Sequence, residues 1–338
     1  MRIKDVAERA GVSPATVSRV LNGATSVRAE YRERVLRVIE ELGYRPNRLA
    51  SNLRRQKAEM IGVVVSDIEN PHFTQMVRAV EDAAFRRGYR VLLCNTDENP
   101  EKQKAYLQVL AAERVLGILI SPSDPVGEEI SELIELGIPV IAFDRSVDDP
   151  RADAVIVDNA AGTRLATEFL IRAGHERIGF VSGLDDIETS VERQLGYERA
   201  MREAGIEPRS ASGGYRIANG RTATEELLET GDLTALIVGN NFMTIGALEV
   251  LRAHRIRVPE EMALVAVDDP FWAELVEPPL TTLAQPVREM ADCAVELLLQ
   301  RIGGERERPG RMVFDFELRV RGSCGTAVSR EGGGWWRR

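Results

Sequence analysis

A chain of 338 residues is too long for one small domain and points to two or three units, with 44% hydrophobic residues to fill their cores. No run of 18 apolar residues occurs and the N-terminus lacks a signal peptide's apolar core, so a membrane span and export are not expected and the cytoplasm is the expected location. The net charge of −9 argues against a nucleic-acid partner only until the chain is divided: residues 1–58 carry 13 Lys/Arg against 6 Asp/Glu, a balance of +7, and the remainder 31 against 47, a balance of −16. A basic module on an acidic body is the footprint of a nucleic-acid reader attached to something else. Cys94, Cys293 and Cys324 are far apart and odd in number, which fits a reducing compartment and offers no metal-ligand cluster.

The chain begins with a helix whose apolar residues, Ile3, Val6, Ala7 and Ala10, recur at helical spacing. Gly11 breaks it and permits a tight turn. Ser13 is a good N-cap and Pro14 a good first residue for a second helix, with Val17, Val20 and Leu21 as its buried stripe. The other face carries Ala15, Thr16, Ser18, Arg19 and Asn22, small or polar groups that suit a DNA major groove. A third helix is expected over Val27 to Leu42, with Val35, Leu36, Ile39 and Leu42 inward and Gly43 ending it. After Pro46 comes a short polar run, Asn47 to Arg55, too short to hold a helix alone in water.

This stretch, IKDVAERAGVSPATVSRVLNG continuing without a gap into VRAEYRERVLRVIEELGYRPNRLASNLRRQ, resembles the DNA-binding headpiece of the LacI/GalR family of bacterial transcription regulators. The resemblance implies a helix-turn-helix over residues 1–45 and a hinge helix over 46–58 that folds on operator DNA beside its copy from a second subunit. Pro14, Ala15 and Arg19 are expected at base edges, with Arg19 as the polar reader. Thr16, Ser18 and Asn22 are expected at the DNA backbone, and Tyr44 and Asn47 near phosphates. Leu53 matches the residue that the family wedges into the minor groove at the operator centre.

From Ile61 the pattern becomes strand, helix, strand. Continuous apolar runs such as IGVVV, VLGILI, IPVIAF, RIGFV, TALIV and MALVAV alternate with helical stretches, the signature of parallel sheets wound by crossovers. The units are too many for one sheet. The expected fold is an all-α helix-turn-helix headpiece on an α/β two-lobed body of two doubly wound parallel sheets, similar over residues 60–325 to periplasmic ribose-type sugar-binding proteins. Lobe one is expected from 60–158 plus 286–313 and lobe two from 159–285 plus 314–325, with a disordered tail at 326–338.

Ligands of such folds bind at strand carboxyl ends, where the polar residues cluster here. Asn70 and Phe73 match a turn of the ribose-type binders in which an aromatic stacks on the sugar, although His72 departs from the usual Phe. Asp144 and Arg145 can serve vicinal hydroxyls or form a structural salt bridge. Arg193, with Ser190 assisting, and Asn240, Asp268 and Gln285 match ligand-contacting positions of the family, whereas Asn241 replaces a common Asp and is left out of the pocket. Trp272 either caps the pocket or packs against Phe271 and Pro278.

Amide, carboxylate and guanidinium groups around an aromatic suit a neutral polyol, so the expected effector is a pentose-like sugar. Arg145 and Arg193 would also suit a purine or a sugar acid. The expected function is repression of sugar-utilisation genes from a pseudo-palindromic operator by a nucleoid-associated homodimer that sugar releases. The alternative is a regulator whose effector is a purine, sugar acid, phosphorylated metabolite or protein corepressor that promotes DNA binding, and a distant one is a sugar-binding transport protein. No phosphate loop, dinucleotide fingerprint, nucleophile elbow or zinc-protease motif occurs, so no enzyme, metal or cofactor is expected. His175, after Gly174, is expected to cap helix carbonyls.

Overall fold

In a computed structural model, residues 3–13, 16–17, 20, 28–42 and 60–325 are described. They fall into two units, residues 1–58 and 59–338. Of the expected DNA contacts only Thr16 lies among the described residues; Pro14, Ala15, Ser18, Arg19, Asn22, Tyr44, Asn47 and Leu53 lie outside them, as does the tail 326–338.

The N-terminal unit contains α1 (Ile3–Ala10) and α2 (Ala29–Glu41), with Thr16, Val17 and Val20 also helical. Gly11 turns the chain at φ +62°, a conformation that costs other residues more. The Ser13 hydroxyl accepts from the Thr16 amide at 3.1 Å, the expected N-cap. Val6, Ala7, Ala10, Val17, Val20, Val35 and Val38 form the buried core. Leu36, expected inward, is 50% exposed. The buried positions Val35 and Val38 are three residues apart on α2, and Leu36 sits a hundred degrees round the helix from Val35.

The body runs β1 (Met60–Val65), α3 (Pro71–Arg86), β2 (Arg90–Asn95), α4 (Pro100–Ala112), β3 (Ile118–Ile120), α5 (Glu128–Glu135), β4 (Val140–Phe143) and β5 (Asp153–Val157). It continues through α6 (Asn159–Arg172), β6 (Ile178–Ser182), α7 (Glu188–Glu203), β7 (Arg209–Ser212), α8 (Ile217–Glu229), β8 (Ala235–Val238), α9 (Asn241–Ala253) and β9 (Ala263–Val267). It closes with β10 (Thr281–Ala284), α10 (Val287–Gly303), β11 (Arg311–Phe314) and β12 (Glu317–Arg319).

The strands form two six-stranded sheets with orders β11-β5-β4-β3-β1-β2 and β12-β10-β9-β8-β6-β7. Central strands such as β3, β4, β8 and β9 are buried along their whole length, which is why their sequences read as unbroken apolar runs. The chain passes between the sheets at Asp158, at Gln285–Pro286 and at Asp315–Phe316. The sheets are not wholly parallel as expected: β12 pairs antiparallel with β10. Only two residues separate it from β11, so the chain enters the second sheet from the carboxyl side with no helix to reverse it.

α10 returns to the first lobe, burying Met290, Ala291, Ala294, Val295, Leu297 and Leu298 in the core that holds Ile61, Val63 and Val65 of β1. The His175 ring does not cap helix carbonyls; its Nδ1 lies 3.0 Å from Thr234 Oγ1, and it is the His175 backbone amide that bonds to the Leu170 carbonyl. α6 and α7 approach closely at Gly196, where a Cβ would run into the Ala160 carbonyl oxygen and Thr163 Oγ1. Thr163 Oγ1 donates to the Arg193 carbonyl at 2.8 Å across the same contact. Gly196→Ala is therefore expected to wedge the helices apart and to cost about 1–3 kcal/mol, read as a fall of several degrees in the thermal midpoint of the body by calorimetry.

Candidate ligand-binding cleft

The carboxyl ends of both sheets open onto one cleft of about 490 Å³. The loop after β1 supplies Asp67 and Asn70, and the start of α3 His72 and Phe73. Glu98 follows β2, Asp144 and Arg145 follow β4, and Asp268 follows β9. α7 supplies Thr189 and Arg193, the loop after β7 Tyr215 and Arg216, the turn after β8 Asn240, and the crossover before α10 Gln285.

Two of these side chains are fixed by capping. Asn70 caps α3 by accepting from the His72 amide at 3.0 Å, with Pro71 as the first helical residue. Asn240 caps α9 by accepting from the Met243 amide at 2.8 Å. Asp144 and Asp268 share another device. They end equivalent strands of the two sheets, and both hold a left-handed backbone, φ +65° and +70°. That conformation is uncommon outside glycine, and both buried carboxylates line the cleft.

Charges inside the cleft are matched. Arg145 is clamped by Glu98 through two bonds of 2.7 and 2.6 Å and lies 3.6 Å from Asp144. Burial opposes the guanidinium charge, but Glu98 and Asp144 outweigh it and hold Arg145 protonated more firmly than usual. The Asp144–Arg145 pair stands at the cleft, and Arg145 is structurally engaged by Glu98. Arg216 reaches Asp67 at 2.7 Å; burial still leaves the Asp67 carboxyl above its usual value. Burial alone would raise Asp144 too, yet His72, Arg145 and Arg193 hold it below its usual value. Arg193 donates from Nε to Asn159 Oδ1 and from Nη1 to the Gly239 carbonyl, both at 2.8 Å. Gln285 donates to Asp268 at 2.8 Å.

Of the expected effector residues, Asn70, Phe73, Asp144, Arg145, Arg193, Asn240, Asp268 and Gln285 line the cleft. Ser190 does not: its hydroxyl is buried, 3.5 Å from Ser182 Oγ. Trp272 packs against the second core, around Leu280 and Met262, and does not cap the cleft. Phe73 is only 4% exposed, so most of its ring serves the core. Sequence reasoning missed Asp67, Glu98, Thr189, Tyr215 and Arg216 and noted His72 only as a departure. Asp67 and Glu98 follow strands, so the strand-end rule used for the others should have found them. Asn241 stands behind the cleft, donating to Asn70 at 3.1 Å across the lobes.

With this geometry in place, comparison with known proteins is direct. Residues 2–47 match the model of bacterial regulatory proteins of the lacI family, and residues 167–324 that of a periplasmic binding protein-like domain. The HTH-type transcriptional repressor PurR of Aliivibrio fischeri (strain MJ11) is 35% identical over 326 residues, covering 94% of this chain and 96% of that protein. Among solved structures, the lac repressor dimer bound to operator and the anti-inducer ONPF is 30% identical with a TM-score of 0.83, covering 96% and 98% of the two chains. A complex of the transcriptional regulator CelR with cellobiose is 35% identical with a TM-score of 0.72, covering 96% and 99%. These relatives are regulators of transcription and not enzymes. The chain belongs to the LacI family and is a DNA-binding transcriptional repressor with a two-lobed, small-molecule-binding body.

Proposed function

We propose that this repressor holds a pseudo-palindromic operator as a homodimer and is released when a small neutral sugar, pentose-like in size, fills the cleft. The observation that carries the ligand class is the balance of charge and unmet hydrogen bonding. Four carboxylates, Asp67, Glu98, Asp144 and Asp268, face three guanidiniums and the His72 imidazole. Arg145 and Arg216 are already ion-paired. An anionic effector would have to compete with those carboxylates, which a neutral polyol does not. At the same time His72 Nε2, Arg145 Nε and Gln285 Oε1 are buried without a hydrogen-bond partner in the protein. Buried polar groups are costly when unmet, and hydroxyls that both donate and accept would satisfy them. The Tyr215 ring adds an aromatic surface in the cleft. The relative solved with cellobiose supports a saccharide.

The homodimer draws support from the lac repressor dimer and from an apolar patch on the first lobe. Phe85 of α3 and Leu93 of the edge strand β2 are 61% and 44% exposed. Exposed apolar groups beside an unpaired strand edge mark a surface that a partner covers.

Three measurements test the reading. A fluorescent fragment from the gene's own upstream region, at fixed salt, is titrated with protein against D-ribose, D-xylose, L-arabinose, D-glucose and cellobiose. One sugar is expected to lower the affinity for DNA, and indifference to all of them, with release by a purine or a phosphorylated metabolite, overturns the sugar assignment. Arg193→Ala is expected to keep DNA binding and to weaken the sugar response by about tenfold or more, the scale of about 1.4 kcal/mol. Leu53→Ala is expected to lower operator affinity by about tenfold and to reduce bending of the duplex, measured by fluorescence energy transfer between the fragment's ends. Full bending with full affinity would remove Leu53 from the groove.

A further inference from the structure

His72 sits where the two lobes meet, in the first turn of α3 and only 4% exposed. Its Nε2 lies 3.4 Å from Asp144 Oδ1 in its own lobe. Its Nδ1 lies 3.9 Å from Asp268 Oδ1 in the other. Phe73 fixes the ring from the side, edge to face at 5.1 Å between centroids. The charged groups around it are Asp144 after β4, Asp268 and Asp269 after β9, Arg193 on α7 and Arg319 on β12. Asp269 and Arg319 are paired with each other, so the local excess facing the ring is Asp144 and Asp268.

A neutral imidazole has one N–H and can serve one of two carboxylates; only the cation carries an N–H on each nitrogen. We infer that His72 acts as an imidazolium bridge between the lobes, which shares its Nε2–H between Asp144 and an effector hydroxyl and makes closing of the cleft take up a proton. The hydroxyl contact rests on the sugar reading above; the proton bridge does not. A phenylalanine here would remove the one imidazole that stands near both carboxylates, so His72 also sets which cleft chemistry is possible.

Burial opposes charge on the ring, but the close approach of Asp144 and the charges of Asp268 and Asp144 exceed that penalty, with Arg193 subtracting, and His72 is held protonated above the usual histidine value. Opening the lobes withdraws Asp268 and lets the value fall toward the ordinary one. The closed form therefore gains its full advantage below the ordinary value and loses it as pH rises through the raised one.

The test is imidazole NMR of the full-length protein with ¹⁵N-labelled histidine, which gives three rings: His72, His175 and His254. One ring is expected to titrate above the ordinary histidine value, with both nitrogens protonated below its midpoint. Its signals should vanish in His72→Gln and should move down by about half a unit or more in Asp268→Asn. A His72 ring that titrates at or below the ordinary histidine value, or one that Asp268→Asn leaves unmoved, overturns the bridge even if His72→Gln fails to fold. The active sugar of the panel is then titrated calorimetrically at pH 6 and pH 8, where affinity should fall by about threefold or more with rising pH in the native protein only. Equal affinity at both values overturns the coupling while the sugar reading stands. A raised His72 titration with no active sugar defeats the sugar reading and leaves the bridge in place.

Discussion

Two buried carboxylates, Asp144 and Asp268, set the problem that the rest of the cleft solves. The doubled architecture places them at the ends of equivalent strands, facing each other from opposite lobes. A lone buried carboxylate costs several kcal/mol unless it is paired or hydrogen-bonded. Each neighbour answers part of that cost. Ser121 donates to Asp144 and Gln285 to Asp268. Arg145 stands beside Asp144, itself braced by Glu98. His72 lies between the two carboxylates.

Further ties cross between the lobes, among them Arg311 of β11, which meets Glu188 of α7 at 3.4 Å. Ser146 donates from its amide and its hydroxyl to Glu188 at 2.6 and 3.0 Å. Arg216 meets Asp67, and Asn241 meets Asn70. The Arg216 side chain is 49% exposed, so solvent screening reduces its pair to a fraction of what a buried one would contribute. Partly solvated ties suit a hinge, because an equilibrium that a ligand must shift cannot be locked by the protein alone.

The sequence announces this body wherever physics leaves a regular trace. Unbroken apolar strands reveal the sheets, and strand ends reveal Asp144, Asn240 and Asp268. Four strands leave little such trace, β7, β10, β11 and β12, whereas Ala154 to Val157 of β5 is an apolar run that was legible. β7 reads Arg-Ser-Ala-Ser at a sheet edge, and β12 is three residues long and mostly exposed. Their pairing comes from neighbours distant in sequence, as with β11 against β5. Asp67 and Glu98 follow the strand-end rule and were legible. Tyr215 and Arg216 follow the short polar β7, so nothing local marked them. Trp272 misled because rarity and size suggest a binding aromatic, whereas the loop after β9 places it against the second core. Ser190 misled in another way: its neighbour Thr189 lines the cleft while it turns back toward Ser182.

Control of DNA binding by a small molecule needs a ligand that distinguishes two states of the body, since one that binds both equally shifts nothing. The cleft meets that requirement through its division of labour. Asn70, His72, Phe73, Glu98, Asp144 and Arg145 belong to one lobe, and Thr189, Arg193, Asn240 and Asp268 to the other. A molecule touching only one set would bind open and closed forms alike. One that touches both gains its second set of contacts only on closure, and that difference is the whole of the free energy available for switching. Couplings of this kind are typically about 1–3 kcal/mol. Charge-assisted hydrogen bonds contribute about 1.5–3 kcal/mol each, so one or two groups on the far lobe suffice. In the proposed reading Arg193 and Asp268 are such groups, and the carboxylate that His72 reaches across the lobes is one of them. If Asp268 and His72 hold the effector as proposed, recognition of the ligand and movement of the lobes depend on the same atoms, so a change in specificity at either residue changes the switching energy with it.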